Sequence, residues 1–417
     1  MTYDSTTPAR PGAESAPLAQ SVAPAAPTAP AAAPAAAPAP AETRLAEDSQ
    51  LASFYADLAA VDLHPLWTIT RDLLPPSPRP RSVPWLWSAP VLTELAEQAL
   101  RLVPVERGGE RRVLSLGNPG LGGLPYVAGT LWGAIQCLGQ GETAPAHRHT
   151  PGAIRFILSG DGVATTVDGD VCDMHPGDLV LTPSWNWHDH SSTGDGPMLW
   201  FDGLDLPMIE ALDAVFFEPY PDLRQPDESP HNRSETSAGP GPRFVSGAVR
   251  DVLDAEPSPL LVYRWADTDR ELSRLAAESG DCLVSLEFVN PQTGASVLPT
   301  MNCGMHRLTP GATTQPVRRT GNTVFVVHRG AGSSVIEGQW FDWSAGDMFV
   351  VPSWAAVEHA SAAGADLFSI GDSPVLRALG IYRELTLDAP QPVTGVFTPA
   401  TPTAPAAVLT DLDTVRA

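Results

Sequence analysis

Cysteine is scarce: Cys137, Cys172, Cys282 and Cys303 lie far apart in 417 residues and show no CxxC spacing. That excludes a disulfide frame or a zinc ribbon and suits reduced core thiols of a cytosolic protein. Long apolar runs are missing too; none approaches the about 18 residues that a membrane-spanning helix needs. The N-terminus has no basic stretch followed by an apolar one, so a signal peptide is not expected and the expected location is cytoplasmic. Positive charge is short as well, with 25 Lys+Arg against 48 Asp+Glu and a net charge of -23. Such a field repels phosphate backbones and anionic lipid, which argues against nucleic-acid and membrane-surface roles. An anionic substrate must then be received by a few local arginines.

Glycine and proline are plentiful, 35 and 44 respectively, and they punctuate the chain into short elements that favour an all-β architecture. Residues 1–44 are mostly Ala, Pro and Thr, with too little apolar bulk to fold, and are expected to be a disordered tail. Residues 45–110 form an expected helical and irregular arm: Asp48 can cap a first helix, and VLTELAEQALRLV (91–103) is amphipathic. Short apolar runs bounded by Gly and Pro then predict a strand-rich domain over 111–218. A polar, Pro-rich stretch, 219–242, reads as a linker. A second strand-rich domain over 243–386 opens with a helix near 268–278, and 387–417 reads as a loose tail.

The two strand-rich blocks are copies of each other. At an offset of 170, Gly141 meets Gly311, Thr150 meets Thr320 and Gly160 meets Gly330. After a one-residue deletion, PGDLVLTPSWNWHDH meets AGDMFVVPSWAAVEH. Agreement of turn residues and order together marks a duplicated domain. The shared Gly177/Gly346, Asp178/Asp347 and Pro183/Pro352 are explained most simply as turn chemistry. The histidines behave differently: His147, His149 and His188 face Val317, Arg319 and Val357, so all three change together. Only His190 has a histidine counterpart, His359.

Residues two apart on a strand share a face, so His147 and His149 can both project into a barrel while Arg148 points outward. His188 comes from a strand 39 residues beyond His149. Three neutral imidazoles suit Fe(II), Zn(II), Cu(II) or Ni(II) and leave positions open for substrate or O₂. A lone HxH on a strand is commonly fortuitous; the Gly-framed spacing and the concerted loss in the second copy favour one metal site. His64, His175, His231, His306 and His328 show no such spacing and read as structural or exposed.

The series Gly141-x5-His147-x-His149 followed by Gly177-x5-Pro183-x-Trp185-x2-His188 resembles the two cupin motifs, with two departures. Ala153 and Ile154 stand where a glutamate is common, and Trp185 stands where a glycine is common. With APAHRHT, PSWNWHDH and LWFDGLD, these departures are similar to the gentisate 1,2-dioxygenase family, whose relatives act on salicylate and 1-hydroxy-2-naphthoate. The resemblance covers about 45–385. It implies a bicupin of two double-stranded β-helix barrels, Fe(II) on three histidines in the first barrel only, and a homotetramer. It implies that Arg155 and Arg111 bind the substrate carboxylate, that Trp132 and Gln136 contact the ring and its oxygens, and that His190 and Asp202 act in catalysis.

The residues alone allow other readings: Arg155 as half of a buried salt bridge, Arg111 as solvated or confused with Arg112, Trp132 as core, Asp202 as a turn cap. The implied reaction is cleavage of gentisate by O₂ to maleylpyruvate. The alternatives are salicylate or 1-hydroxy-2-naphthoate as substrate, another metal-cupin reaction, and a non-enzymatic ligand-binding cupin.

Overall fold

The computed structural model describes residues 41–107, 112–226, 230–247 and 256–400. The chain divides into two units between Leu74 and Pro75. In the first unit, helices Ala41–Ala59 and Leu66–Leu73 meet through Phe54 stacked on Trp67, with Trp67 Nε1 donating to Tyr55 Oη at 3.0 Å. The first helix starts well before Asp48, the expected cap. Ala41, Glu42, Arg44 and Leu45 are good helix formers, and Pro40 is the last proline that could break the turn. Residues 41–44 of the expected tail are therefore helical. No helix among the described residues is long and apolar enough to cross a membrane.

The second unit is a bicupin. Two antiparallel sheets make the first barrel: one of six strands and one of five. In the six-stranded sheet, Ala153–Ser159 lies between Leu179–Thr182 and Met198–Leu204, with Trp132–Leu138 beyond. In the five-stranded sheet, Thr143–His149 pairs His188–Ser192. Alternation along AIRFILS shows why the strand sits as it does. Ile157 joins the core inside the first barrel, while Ile154 and Phe156 face out into a core shared with the second. There Phe156 stacks on Phe368 of the second barrel at 4.1 Å between ring centres. The barrels are thus packed back to back through the outer faces of their sheets. Inside the second barrel, Phe325, Phe349, Trp343 and Leu367 form a separate core.

Each barrel also borrows from the segment that precedes the other. The strand Trp85–Trp87 pairs Met348–Val351 of the second barrel, and Val262–Tyr263 pairs Leu179–Thr182 of the first. The helices that follow them are held in the same crossed manner. Asp347 Oδ1 accepts from the N–H of Ala89, which opens helix Ala89–Leu102. Asp178 Oδ1 accepts from the N–H of Trp265, which opens helix Trp265–Ser279. The duplicated Gly-Asp pairs are thus more than turn residues: each aspartate receives an unsatisfied donor of a helix N-terminus.

The segment read as a loose tail is attached through residue 400. Gly395–Val396 pairs in parallel with Gln339–Ser344, and Phe397 packs on Phe341 and Trp85. Phe397 gives this Pro-rich stretch an apolar anchor.

Candidate metal centre

His147 and His188 are direct cross-strand partners, and His149 lies one pleat further along. The ring centres are 4.2 Å apart for His147 and His188, 4.8 Å for His149 and His188, and 5.5 Å for His147 and His149. Each imidazole is oriented by a backbone carbonyl two residues away. Nδ1 of His147 meets Pro145 O at 2.8 Å, that of His149 meets Pro151 O at 2.7 Å, and that of His188 meets Asn186 O at 3.0 Å. A carbonyl can only accept, so each Nδ1 carries the proton and each Nε2 keeps a lone pair.

Ligand atoms of the three rings all lie within 4.8 Å of one another. Nε2 of His188, a residue 1% exposed, is buried without a hydrogen-bond partner. Burial, and next the Arg155 charge, push the His188 imidazole well below its ordinary pKa and keep it neutral. A buried lone pair without a donor costs free energy unless a ligand or metal takes it up. The donor set fits a divalent metal.

The wall beside the histidines carries the remaining residues. Arg155 and Asp202 face each other across adjacent strands; both are 4% exposed. Arg155 Nε stands 3.5 Å from Asp202 Oδ1 but makes no hydrogen bond, and Nη1 donates to Thr182. Trp200 Nε1 donates to Asp202 at 3.1 Å. Burial raises the Asp202 pKa to about 6 against the pull of Arg155 and the Trp200 N–H. Desolvation likewise lowers that of Arg155. Trp132 and Gln136 lie on the neighbouring strand, opposite Leu204 and Trp200. Trp132 Nε1 donates to Ser115 at 3.1 Å, while the Gln136 amide has no partner in the described chain. His190 is held through Nδ1 by Thr165 Oγ1 at 2.8 Å; in the second barrel, His359 meets Ser334 in the same way at 2.7 Å.

Arg112 is settled elsewhere. It is buried, donates to Val103 O and makes a two-pronged pair with Glu142. Arg111 lies outside the described residues.

Several neighbours carried no recognisable signal in the sequence. Phe217 stacks 5.2 Å from His147, because strand Phe217–Pro219 folds back onto Thr143–His149. The only hint was the apolar pair FF ahead of the Pro-rich stretch. Outward-facing Arg148 lies between Trp185 and Trp187, 4.4 and 4.3 Å from their ring centres, and pairs with Glu218. Trp185 and Trp354 have φ of 64° and 66°, the left-handed region that glycine favours, which accounts for the glycine common at this cupin position.

Fold and site together define a cupin whose first barrel carries a three-histidine group fit to hold a metal, and the cupin domain family matches residues 134–204. The chain is 44% identical to a gentisate 1,2-dioxygenase of a Streptomyces species, a similarity spanning 81% of this chain and 96% of that one. It is 36% identical to a 5-aminosalicylate 1,2-dioxygenase of a Comamonas species, over 84% and 94% of the two chains. Among solved structures it resembles salicylate 1,2-dioxygenase from Pseudoaminobacter salicylatoxidans in its adduct with gentisate. The TM-score is 0.75 and the identity 40%, over 82% of this chain and 94% of that one. The chain belongs to the gentisate 1,2-dioxygenase family of ring-cleaving bicupin dioxygenases.

Proposed function

We propose that this protein is an Fe(II)-dependent dioxygenase that converts gentisate and O₂ to maleylpyruvate. Both oxygen atoms enter the product, and the broken bond joins the carboxyl-bearing and hydroxyl-bearing ring carbons. The observation that carries the proposal is the pairing of the three-histidine centre with Arg155, a buried cation whose Nε has no acceptor. Bound at His147, His149 and His188, Fe(II) would supply Lewis acidity and electron transfer to O₂.

The side chains of the wall do the rest. Arg155 receives the substrate carboxylate and fixes the ring's orientation. Arg111 is proposed as a second carboxylate contact. The Gln136 amide offers its donors and acceptor to the ring oxygens, and Trp132 forms an edge of the ring pocket. His190, held by Thr165, can keep a proton at its ring for the substrate oxygens. Asp202 is proposed to act toward the ring 5-hydroxyl, which lies opposite the hydroxyl adjoining the carboxylate, and its contacts to Arg155 and Trp200 also make it a positioning residue. We propose a homotetrameric cytoplasmic enzyme, to be checked by light scattering and fractionation.

A second substrate reading, salicylate or 1-hydroxy-2-naphthoate, is favoured by the likeness to salicylate 1,2-dioxygenase. Anaerobic loading with Fe(II), followed by gentisate, salicylate or 1-hydroxy-2-naphthoate and recording of O₂ uptake, separates the readings. Uptake with gentisate supports the proposal, and uptake confined to another acid moves the substrate within the family. No uptake with any of them, from protein holding about one iron per chain, would leave a ligand-binding cupin.

A further inference from the structure

The second barrel lost its histidines without filling the space they lined. A cavity of about 290 Å³ remains inside it, at the low end of the range for small-molecule pockets. Its apolar wall includes Phe325, Val357 and Leu367; its polar wall includes Arg319, His359 and Arg377.

Most of the charge around the cavity is already matched. Arg319 pairs with Glu384 at 3.2 Å. Asp372 accepts from Asn322 and Thr130, and Glu287 accepts from Ser296 at 2.9 Å. Two groups are not matched. The guanidinium of Arg377 lies over the Tyr382 ring at 3.7 Å, its Nε is buried without an acceptor, and it has no carboxylate partner among the described residues. His359, 9% exposed, is held through Nδ1 by Ser334, and its Nε2 has no partner in the described chain. A cation whose buried Nε lacks an acceptor and an imidazole held by Ser334 at one nitrogen only, on the wall of one cavity, form a polar frame without its ligand.

We propose that the second barrel binds a small organic carboxylate of single-ring size. Arg377 takes the anion, Phe325 and Val357 take the apolar body, and His359 Nε2 meets a polar substituent. No metal takes part, since Val317, Arg319 and Val357 stand at the ligand stations. The site is independent of the reaction proposed for the first barrel.

The test is fluorine NMR of 4-fluorobenzoate with the full-length protein, comparing the parent with Arg155→Met, and Arg155→Met with the double variants that add Arg377→Gln or Val357→Trp, each checked for fold by circular dichroism. The expected result is a bound signal that survives Arg155→Met. It should weaken about tenfold in Arg377→Gln, the scale of one hydrogen bond to a charged group. It should vanish in Val357→Trp, whose indole fills the cavity; if that variant does not fold, Arg377→Gln decides. Absence of binding, loss of all binding in Arg155→Met, or a signal indifferent to Arg377→Gln would overturn the proposal.

Discussion

Replacing Arg155 with methionine should produce two separable losses. The first is structural. Arg155 and Asp202 are both buried with 3.5 Å between Nε and Oδ1. At an effective dielectric near 20, that spacing corresponds to roughly 5 kcal/mol of attraction before desolvation. Breaking a buried pair by removing one partner costs about 3–5 kcal/mol. The low end applies here, because Asp202 already has a pKa of about 6 and can take up a proton when left alone. The second loss is functional. A carboxylate bound by a guanidinium gains about 3 kcal/mol, so the KM for gentisate should rise about a hundredfold or more while the metal stays bound.

Arg155→Met/Asp202→Asn separates the two losses, since the double variant buries no lone charge. Denaturant unfolding should show most of the stability restored, and steady-state O₂ uptake should show KM still raised. Recovery of KM together with stability would make Arg155 a structural partner of Asp202 and nothing more. So would an Arg155→Met enzyme whose KM stays within about threefold of the parent.

Three other outcomes are expected. His188→Ala should take metal content after Fe(II) loading from about one per chain to near zero, measured by plasma mass spectrometry with the fold intact by circular dichroism; retention of a full equivalent would mean the ligands are misassigned. Gly177→Ala should lower stability by about 2–4 kcal/mol in urea melts. At φ 89° its Cβ would stand 2.8 Å from Trp265 Cγ, and an unchanged midpoint would contradict the packing. Asp205 has its pKa raised to about 6 by burial, so the native state holds a proton that the unfolded chain has lost. Its contribution therefore falls as pH rises from about 4 to about 6, by on the order of 2 kcal/mol, and stays low above that. Asp205→Asn, whose Oδ1 can still accept from the Gly152 N–H while its amide N–H donates to the Thr300 hydroxyl, should shrink the difference in melting temperature between pH 4.5 and 7; an unchanged difference would exclude Asp205 as its source.

The three-histidine group is legible because two independent patterns coincide on it: the strand periodicity of HRH, and the joint change to Val317, Arg319 and Val357. Arg155 stood out because an arginine in AIRFIL must have a reason to be buried, and Phe325 in the twin shows that the fold does not require it. Contacts between distant segments left no local trace. Arg112 reads as one more charged residue beside Arg111, and only the folded chain shows Glu142 against it. Asp178 and Asp347 read as turn residues, yet each accepts from a helix N-terminus that the sequence places far away. Phe217 stands just ahead of the stretch that reads as a linker and Phe397 in the one that reads as a loose tail, yet strand pairing and an aromatic contact lay each against a barrel.

The same cross-connections explain why a barrel without metal ligands persists. Asp205, at the end of a first-barrel strand, accepts from Gly152 N–H and from Thr300, which precedes strand Asn302–Leu308 of the second barrel. Asp372, its counterpart, accepts from Asn322 N–H and from Thr130, which precedes Trp132 in the first barrel. Each barrel therefore anchors the other through a buried aspartate, an added strand and a capped helix, across a shared apolar core that includes Phe156 and Phe368. Substitutions at Val317, Arg319 and Val357 touch none of these links. The second barrel can therefore carry Val317, Arg319 and Val357 in place of histidines without losing the frame that holds Gly152, two residues from Arg155's neighbour Ile154, in register with the three histidines. Deleting the second barrel would remove the strand partner of Trp85–Trp87, the acceptor for Ala89 and the Thr300 contact together. The candidate metal centre thus depends on a domain that contributes none of its three histidines.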